Sequence, residues 1–143
     1  MSSGYSGTPL RKKLGIKDGH QVATSGAPDH FPDLLAPMHP SVRMRTDLRG
    51  RGPFDVLIAF VRSERELRDR FDRARDRLDP HGGLWVAWPK QRSPLATDLK
   101  ESHVRAYGLS TGLVDNKVCA IDEDWSGLRF VVRLEDRPKR PRA

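Results

Sequence analysis

The sequence predicts an α/β domain, a three-layer sandwich around a mixed six-stranded sheet with a C-terminal antiparallel hairpin. Three observations carry that reading. Asp55 to Val61 is a short, nearly unbroken apolar run, the pattern of a strand covered on both faces. Behind it Leu67, Phe71, Ala74 and Leu78 recur at steps of four, three and four, which keeps them on one helical face. A second apolar run, Leu84 to Trp88, follows, so strand, helix and strand make one parallel, right-handed unit.

Taken in order, residues 1–7 are small and polar and are expected to be flexible. The single domain is expected over 8–134. Thr8-Pro9 reads as an N-cap with proline at the first helical position, leading through Leu10 and Leu14 to a stop at Gly15. His20 to Thr24 is a first strand, and Asp29 to Leu35 a short helix before Pro37. Val42 to Thr46 is a second strand, with Val42 and Met44 opposite Arg43 and Arg45. Ser63 and Glu66 have the spacing of a capping box for a helix running to Leu78, and Asp79-Pro80 with Gly82-Gly83 reads as its stop. Thr97 is the expected cap of a helix to Ser110, with Gly112 beyond its end. Leu113 to Ile121 and Leu128 to Leu134 are the hairpin strands, joined by a turn over Asp122 to Gly127. The segment 135–143, rich in proline and arginine, is expected to be a basic disordered tail.

A formal charge of +7 is concentrated at the ends of the chain. Arg11, Lys12, Lys13 and Lys17 face only Asp18, and Arg137, Lys139, Arg140 and Arg142 outnumber Glu135 and Asp136, while the body is close to balanced. That distribution favours loose attraction of anions over a dedicated nucleic-acid face. No apolar run is long enough for a membrane span, and the N-terminus lacks a secretory core. A single cysteine, Cys119, excludes an intrachain disulfide and fits a cytoplasmic location.

Two resemblances follow from these residues. The order of elements over 54–134, with Leu78-Asp79-Pro80-His81-Gly82-Gly83-Leu84 before a strand, resembles the later part of Rossmann-like class I methyltransferases. That resemblance implies a Rossmann-like fold and a site for S-adenosylmethionine. Here, however, Thr24-Ser25-Gly26-Ala27-Pro28 offers one glycine where the family has a glycine-rich loop, and the family's third strand is missing. Asp47 stands near the position of the family's ribose-binding acid. The fourth strand ends Ala59-Phe60-Val61-Arg62, without the family's Asn/Asp-Pro-Pro-aromatic phrase. The whole chain also resembles a family of small bacterial proteins of unknown function. That likeness rests on Tyr5-Ser6-Gly7-Thr8-Pro9-Leu10, Leu84-Trp85-Val86-Ala87-Trp88-Pro89-Lys90 and Trp125-Ser126-Gly127-Leu128.

In such a sheet the crevice opens beyond the strand C-termini, at the point where the chain reverses its direction of travel. The candidate ligand residues there are Ser25, Gly26, Arg62, Ser63, Trp88, Lys90 and Arg92, set beside helix N-termini that favour an anion. Their bland reading is ordinary solvated loop, and for Trp85 and Trp88 it is core packing. A second candidate set, Arg11, Lys12, Lys13, Arg137, Lys139, Arg140 and Arg142, would touch nucleic-acid phosphates weakly and without sequence preference. The five histidines show no metal spacing, Cys119 reads as an inert core residue, and no G-x-S-x-G elbow supports a nucleophile. No cofactor is expected, and the sequence leans away from an enzyme. The leading expectation is a cytoplasmic binding or regulatory module whose rim takes a small anionic ligand or a protein partner. The alternatives are a divergent S-adenosylmethionine-dependent methyltransferase-like enzyme and a nucleic-acid-associated protein acting through its basic termini.

Overall fold

The computed structural model describes residues 7–50 and 52–139. Six strands form one sheet: β1 (Gln21–Ser25), β2 (Arg43–Arg45), β3 (Phe54–Phe60), β4 (Leu78–Pro89), β5 (Val114–Ala120) and β6 (Trp125–Val131), in the spatial order β2-β1-β3-β4-β6-β5. β1 to β4 are parallel, while β6 runs antiparallel to both β4 and β5. The mixed sheet and the C-terminal hairpin are therefore those the sequence predicts, and β2 lies outermost with β1 between it and β3.

Helices cover both faces. On one side α1 (Leu10–Lys13) and α2 (Phe31–Leu35) flank a core of Leu14, Phe31, Val22, Ile58, Phe60, Trp85 and Trp125. On the other, α3 (Glu64–Arg75) and α4 (Glu101–Ser110) bury Leu67, Phe71, Ala74 and Val104 against Leu57, Val86, Trp88 and Phe130. Trp85 and Trp88 thus enter opposite cores, and both are buried. Edge-to-face aromatic pairs link Phe31 to Phe60 and Phe60 to Trp125 on the first face, and Phe71 to Phe130 on the second. Such pairs add about 0.5–1.5 kcal/mol each beyond the area they bury.

α3 starts as its sequence dictates. Ser63 Oγ accepts from Glu66 N at 3.1 Å, and Glu66 reaches back to accept from Arg62 N at 2.8 Å. Its end differs from expectation: the helix stops at Arg75, and Asp79, Pro80, Gly82 and Gly83 lie inside β4. The pairing explains this. Phe54 pairs with Leu78, but Val56 pairs with Gly83, so the intervening residues of β4 are taken up in a bulge. A bulge accepts proline and glycine, which a regular strand would not.

Three other boundaries move. α1 begins at Leu10 with Pro9 at its cap, not Thr8. α4 begins at Glu101: Thr97 Oγ1 accepts from Leu99 N at 3.1 Å and shapes the preceding loop, while Lys100 holds the cap position. Trp125, Ser126 and Gly127 belong to β6 rather than to the turn, because Asp122 Oδ1 closes the turn early by accepting from Asp124 N and Trp125 N. β6 then ends at Val131, and Leu134–Asp136 forms a short 3-10 turn. Cys119 stands on the edge strand β5 and is half-buried, not a core residue. Burial pushes its thiol pKa up, against the lowering influence of Lys13 and Lys117.

Among the described residues no helix is long and apolar enough to cross a membrane.

Candidate anion-binding rim

The rim predicted from sequence lies where the parallel strands end, and three cavities divide it. The first, of about 520 Å³, is lined by Ser25, Gly26, Asp47, Arg49 and the end of α3 at Arg73, Asp76 and Arg77. Asp47, two residues beyond the end of β2, lines this cavity. Its Oδ1 is taken up locally, by Arg49 N at 2.9 Å and by Arg45 at 3.4 Å.

Between the ends of β1 and β3 the crevice is bridged. Gly26 has φ +70°, and a Cβ there would overlap the Arg70 guanidinium and sit 3.0 Å from the Phe60 carbonyl oxygen. Arg70 donates from Nη1 to that carbonyl oxygen and pairs with Glu66 at 3.4 Å. Glycine is thus required by conformation and by space. The arginine occupying that space was invisible in the sequence, because α3 reads there as an ordinary solvated face with i,i+4 pairs.

The second cavity, of about 310 Å³, gathers Arg62 and Ser63 with Glu64, Thr97, Asp98 and His103. The third and roomiest, about 790 Å³, brings Trp88, Lys90 and Arg92 together with Lys100, Glu101, Ser102 and Ser126. The structure therefore separates Ser25 and Gly26 from Arg62 and Ser63, and both pairs from Trp88, Lys90 and Arg92. Only the last group converges.

That third site is built from three segments, the end of β4 with the loop after it, the start of α4, and Ser126 of β6. Trp88 lies near the end of the buried run of β4, is 4% exposed, and lines the cavity as a packed core ring rather than one open for stacking. The loop after Pro89 is held in place from the hairpin turn: Lys90 N donates to the Asp124 carbonyl at 2.8 Å, and Ser93 Oγ to Asp124 Oδ1 at 2.8 Å. Opposite stands the first turn of α4, where Lys100, Glu101 and Ser102 line the cavity and the helix N-terminus carries partial positive charge. Glu101, its one acid, is engaged elsewhere: Oε2 pairs with Arg105 Nη2 at 2.8 Å, and Arg105 Nε bonds Asp115 at 3.0 Å. Those two hydrogen bonds, Glu101 first, raise the Arg105 pKa above its ordinary value. Lys90, Arg92 and Lys100 pair with no carboxylate among the described residues, whereas Glu101 is committed to Arg105. The sequence reading found Lys90 and Arg92 but missed Lys100, since it took Thr97 as the start of α4.

The basic ends lie elsewhere. Arg11 and Lys13 on α1 are half-buried, and Lys12 is exposed. Arg137 Nε donates to the Val132 carbonyl at 2.8 Å, Lys139 is exposed, and Arg140 and Arg142 lie outside the described residues. Among the described residues no group of three His, Cys, Asp or Glu side chains is arranged to hold a metal ion.

The fold has solved relatives in shape. Precorrin-6y C5,15-methyltransferase from Geobacter metallireducens superposes with a TM-score of 0.61 at 10% identity, over 86% of this chain and 85% of that one. Aeropyrum pernix fibrillarin, with natively bound S-adenosyl-L-methionine, gives 0.58 at 15% identity, over 87% and 69%. Magnesium protoporphyrin IX methyltransferase from Synechocystis, with bound SAM, gives 0.56 at 13% identity, over 86% and 74%. At these identities the likeness establishes a Rossmann-like methyltransferase fold. No family model and no curated protein matches the chain.

Proposed function

We propose that this chain is a cytoplasmic binding protein built on a methyltransferase-like frame, taking a small anionic ligand at the rim between β4 and α4. The observation that carries the reading is the convergence of Lys90, Arg92 and Lys100 on the N-terminus of α4, with Glu101 drawn away by Arg105. Cations and helix N–H groups that share no acid make an anion the complementary guest. Phosphate- or carboxylate-bearing small molecules are the class it fits.

A second reading is a divergent S-adenosylmethionine-dependent methyltransferase. The solved relatives favour it, two of them holding the methyl donor, and so does Asp47 beside an open cavity. Gly26 as the single glycine after β1, with Arg70 laid across the gap to β3, speaks against a donor site of the usual form.

Thermal denaturation with S-adenosylmethionine, its demethylated product, nucleotides and simple phosphates separates the readings. A ligand at a hundred times its dissociation constant stabilises the fold by about 2.7 kcal/mol. The expected result is stabilisation by an anion that Lys90→Gln and Lys100→Gln reduce. Stabilisation by the methyl donor, undiminished in those variants, would replace the first reading with the second. Silence across the panel would reject a small-molecule rim site and leave a protein partner, to be sought by pull-down.

A further inference from the structure

At the opposite end of the sheet, near the N-termini of the parallel strands, a cavity of about 400 Å³ draws cations from four separate stretches of chain. Lys13 and Lys17 come from the end of α1 and the turn after it, His20 precedes β1, Lys117 lies on β5 and Arg129 on β6, with His81 from the β4 bulge. We infer that this basal cavity is a binding site for a phosphate group, separate from the rim.

The geometry is specific. Lys117 and Arg129 stand directly opposite each other in the β5–β6 ladder, a like-charge placement that is unfavourable unless an anion lies between. Arg129 is half-buried, and its guanidinium lies over Gly83, where a Cβ would overlap it. Its Nη1 reaches Asn116 Oδ1 at 3.4 Å, and no carboxylate among the described residues pairs with it. Burial first, and then the charge of Arg137, pull its pKa below the ordinary value, which marks a cation short of a counter-charge. The one acid in the lining, Asp55, is engaged by its Oδ2, which accepts from Gln21 N at 2.8 Å.

The remaining groups are oriented as donors. His20 Nδ1 accepts from Lys17 N at 3.1 Å, so its neutral ring carries the proton on Nε2. Lys117 Nζ donates one proton to the Lys13 carbonyl at 2.9 Å and keeps two more. His81 Nε2 donates to the Pro138 carbonyl at 2.9 Å, which fastens the basic C-terminal segment beside the cavity. The two basic ends of the chain thus meet at one place, with Lys13 from one and Arg137 near Arg129 from the other.

A phosphate offers the charge and the acceptors this set lacks. It could belong to a small phosphorylated molecule or to a nucleic-acid backbone, and the test has an arm for each. The full chain is titrated with inorganic pyrophosphate by calorimetry and with a fluorescent single-stranded oligonucleotide by anisotropy. Arg129→Gln and Lys117→Gln are compared with Arg65→Gln, an exposed position on α3 that lines neither the basal cavity nor the rim cavities. The expected result is that each basal variant weakens one of the two probes about tenfold and Arg65→Gln leaves it unchanged. If the oligonucleotide is that probe, each variant also lowers the salt slope by about one. Tight pyrophosphate binding that excess oligonucleotide does not displace assigns the site to small phosphates, and the converse assigns it to a nucleic-acid backbone. Lys117 is exposed, so Lys117→Gln reports on binding even if Arg129→Gln fails to fold. Absence of binding by both probes, or binding indifferent to both basal variants, overturns the inference.

Discussion

Each end of the sheet has an arginine laid over a bare glycine, Arg70 over Gly26 at the rim and Arg129 over Gly83 at the base. At the rim the guanidinium is satisfied, with the Phe60 carbonyl on one side and Glu66 at 3.4 Å on the other. At the base it has an amide oxygen at 3.4 Å, a lysine opposite and no acid paired with it among the described residues. The same steric device therefore serves two ends. Arg70 is a clamp that ties α3 to β3 and closes a crevice. Arg129 is a half-buried cation without a paired acid among the described residues. Desolvating an unpaired charge is costly, so a chain that does it marks a place where something else completes the pair.

The largest expected effect of breaking this parallel is at Gly26. With φ +70°, alanine there costs about 1–2 kcal/mol in backbone strain alone, and its Cβ would also displace Arg70 from the Phe60 carbonyl. Gly26→Ala should lower the thermal midpoint by several degrees. A midpoint within a degree of the parent would show that the clamp contributes nothing.

Gly83→Ala should behave in the opposite way. Gly83 sits in a strand without a positive φ, and the three atoms nearest its Cβ would be those of the flexible Arg129 guanidinium. The guanidinium swings aside at little cost, while alanine removes glycine's entropic penalty of about 0.5–1 kcal/mol. Stability should be unchanged or slightly higher, and phosphate binding should fall about tenfold. A loss of stability equal to that of Gly26→Ala would make Arg129 a clamp too, and the comparison between the two ends would collapse.

How much of this was legible in the sequence follows from what each feature depends on. The existence and order of the six strands and the Ser63–Glu66 cap follow from short hydrophobic and capping patterns and stand as predicted, while the bounds of β4 and β6 do not. The β4 bulge was misread because proline and glycine punctuate turns and bulges alike, and only the pairing of Val56 with Gly83 tells them apart. The hairpin turn, expected over Asp122 to Gly127, is shorter than its polar and glycine residues suggest, because Asp122 closes it before Trp125. Lys90 and Arg92 could be found from their position after a buried strand. Arg129 could not: an arginine alternating with Leu128 and Phe130 reads as solvent-facing, and only the three-dimensional meeting with Gly83 and Lys117 draws it in.

The smallest expected effect lies in the wall between the two ends. Tyr107 of α4 donates to Asp72 Oδ1 of α3 at 2.6 Å, and its ring meets Phe71 edge-on. Burial chiefly, helped by that hydrogen bond and the Asp72 charge, pushes its pKa up to about 12 from 10.0. A phenol that holds its proton more tightly when folded stabilises the fold below pH ~10, and that contribution is lost as pH rises from there through about 12. Ultraviolet titration of the native protein should show a late ionising phenol component that moves to lower pH on unfolding. Tyr107→Phe should remove that component and leave both anion sites untouched, because neither cavity includes the α3–α4 contact. If it weakened binding at either end, α3 and α4 would be coupling the rim to the base, and the two sites could no longer be treated as independent.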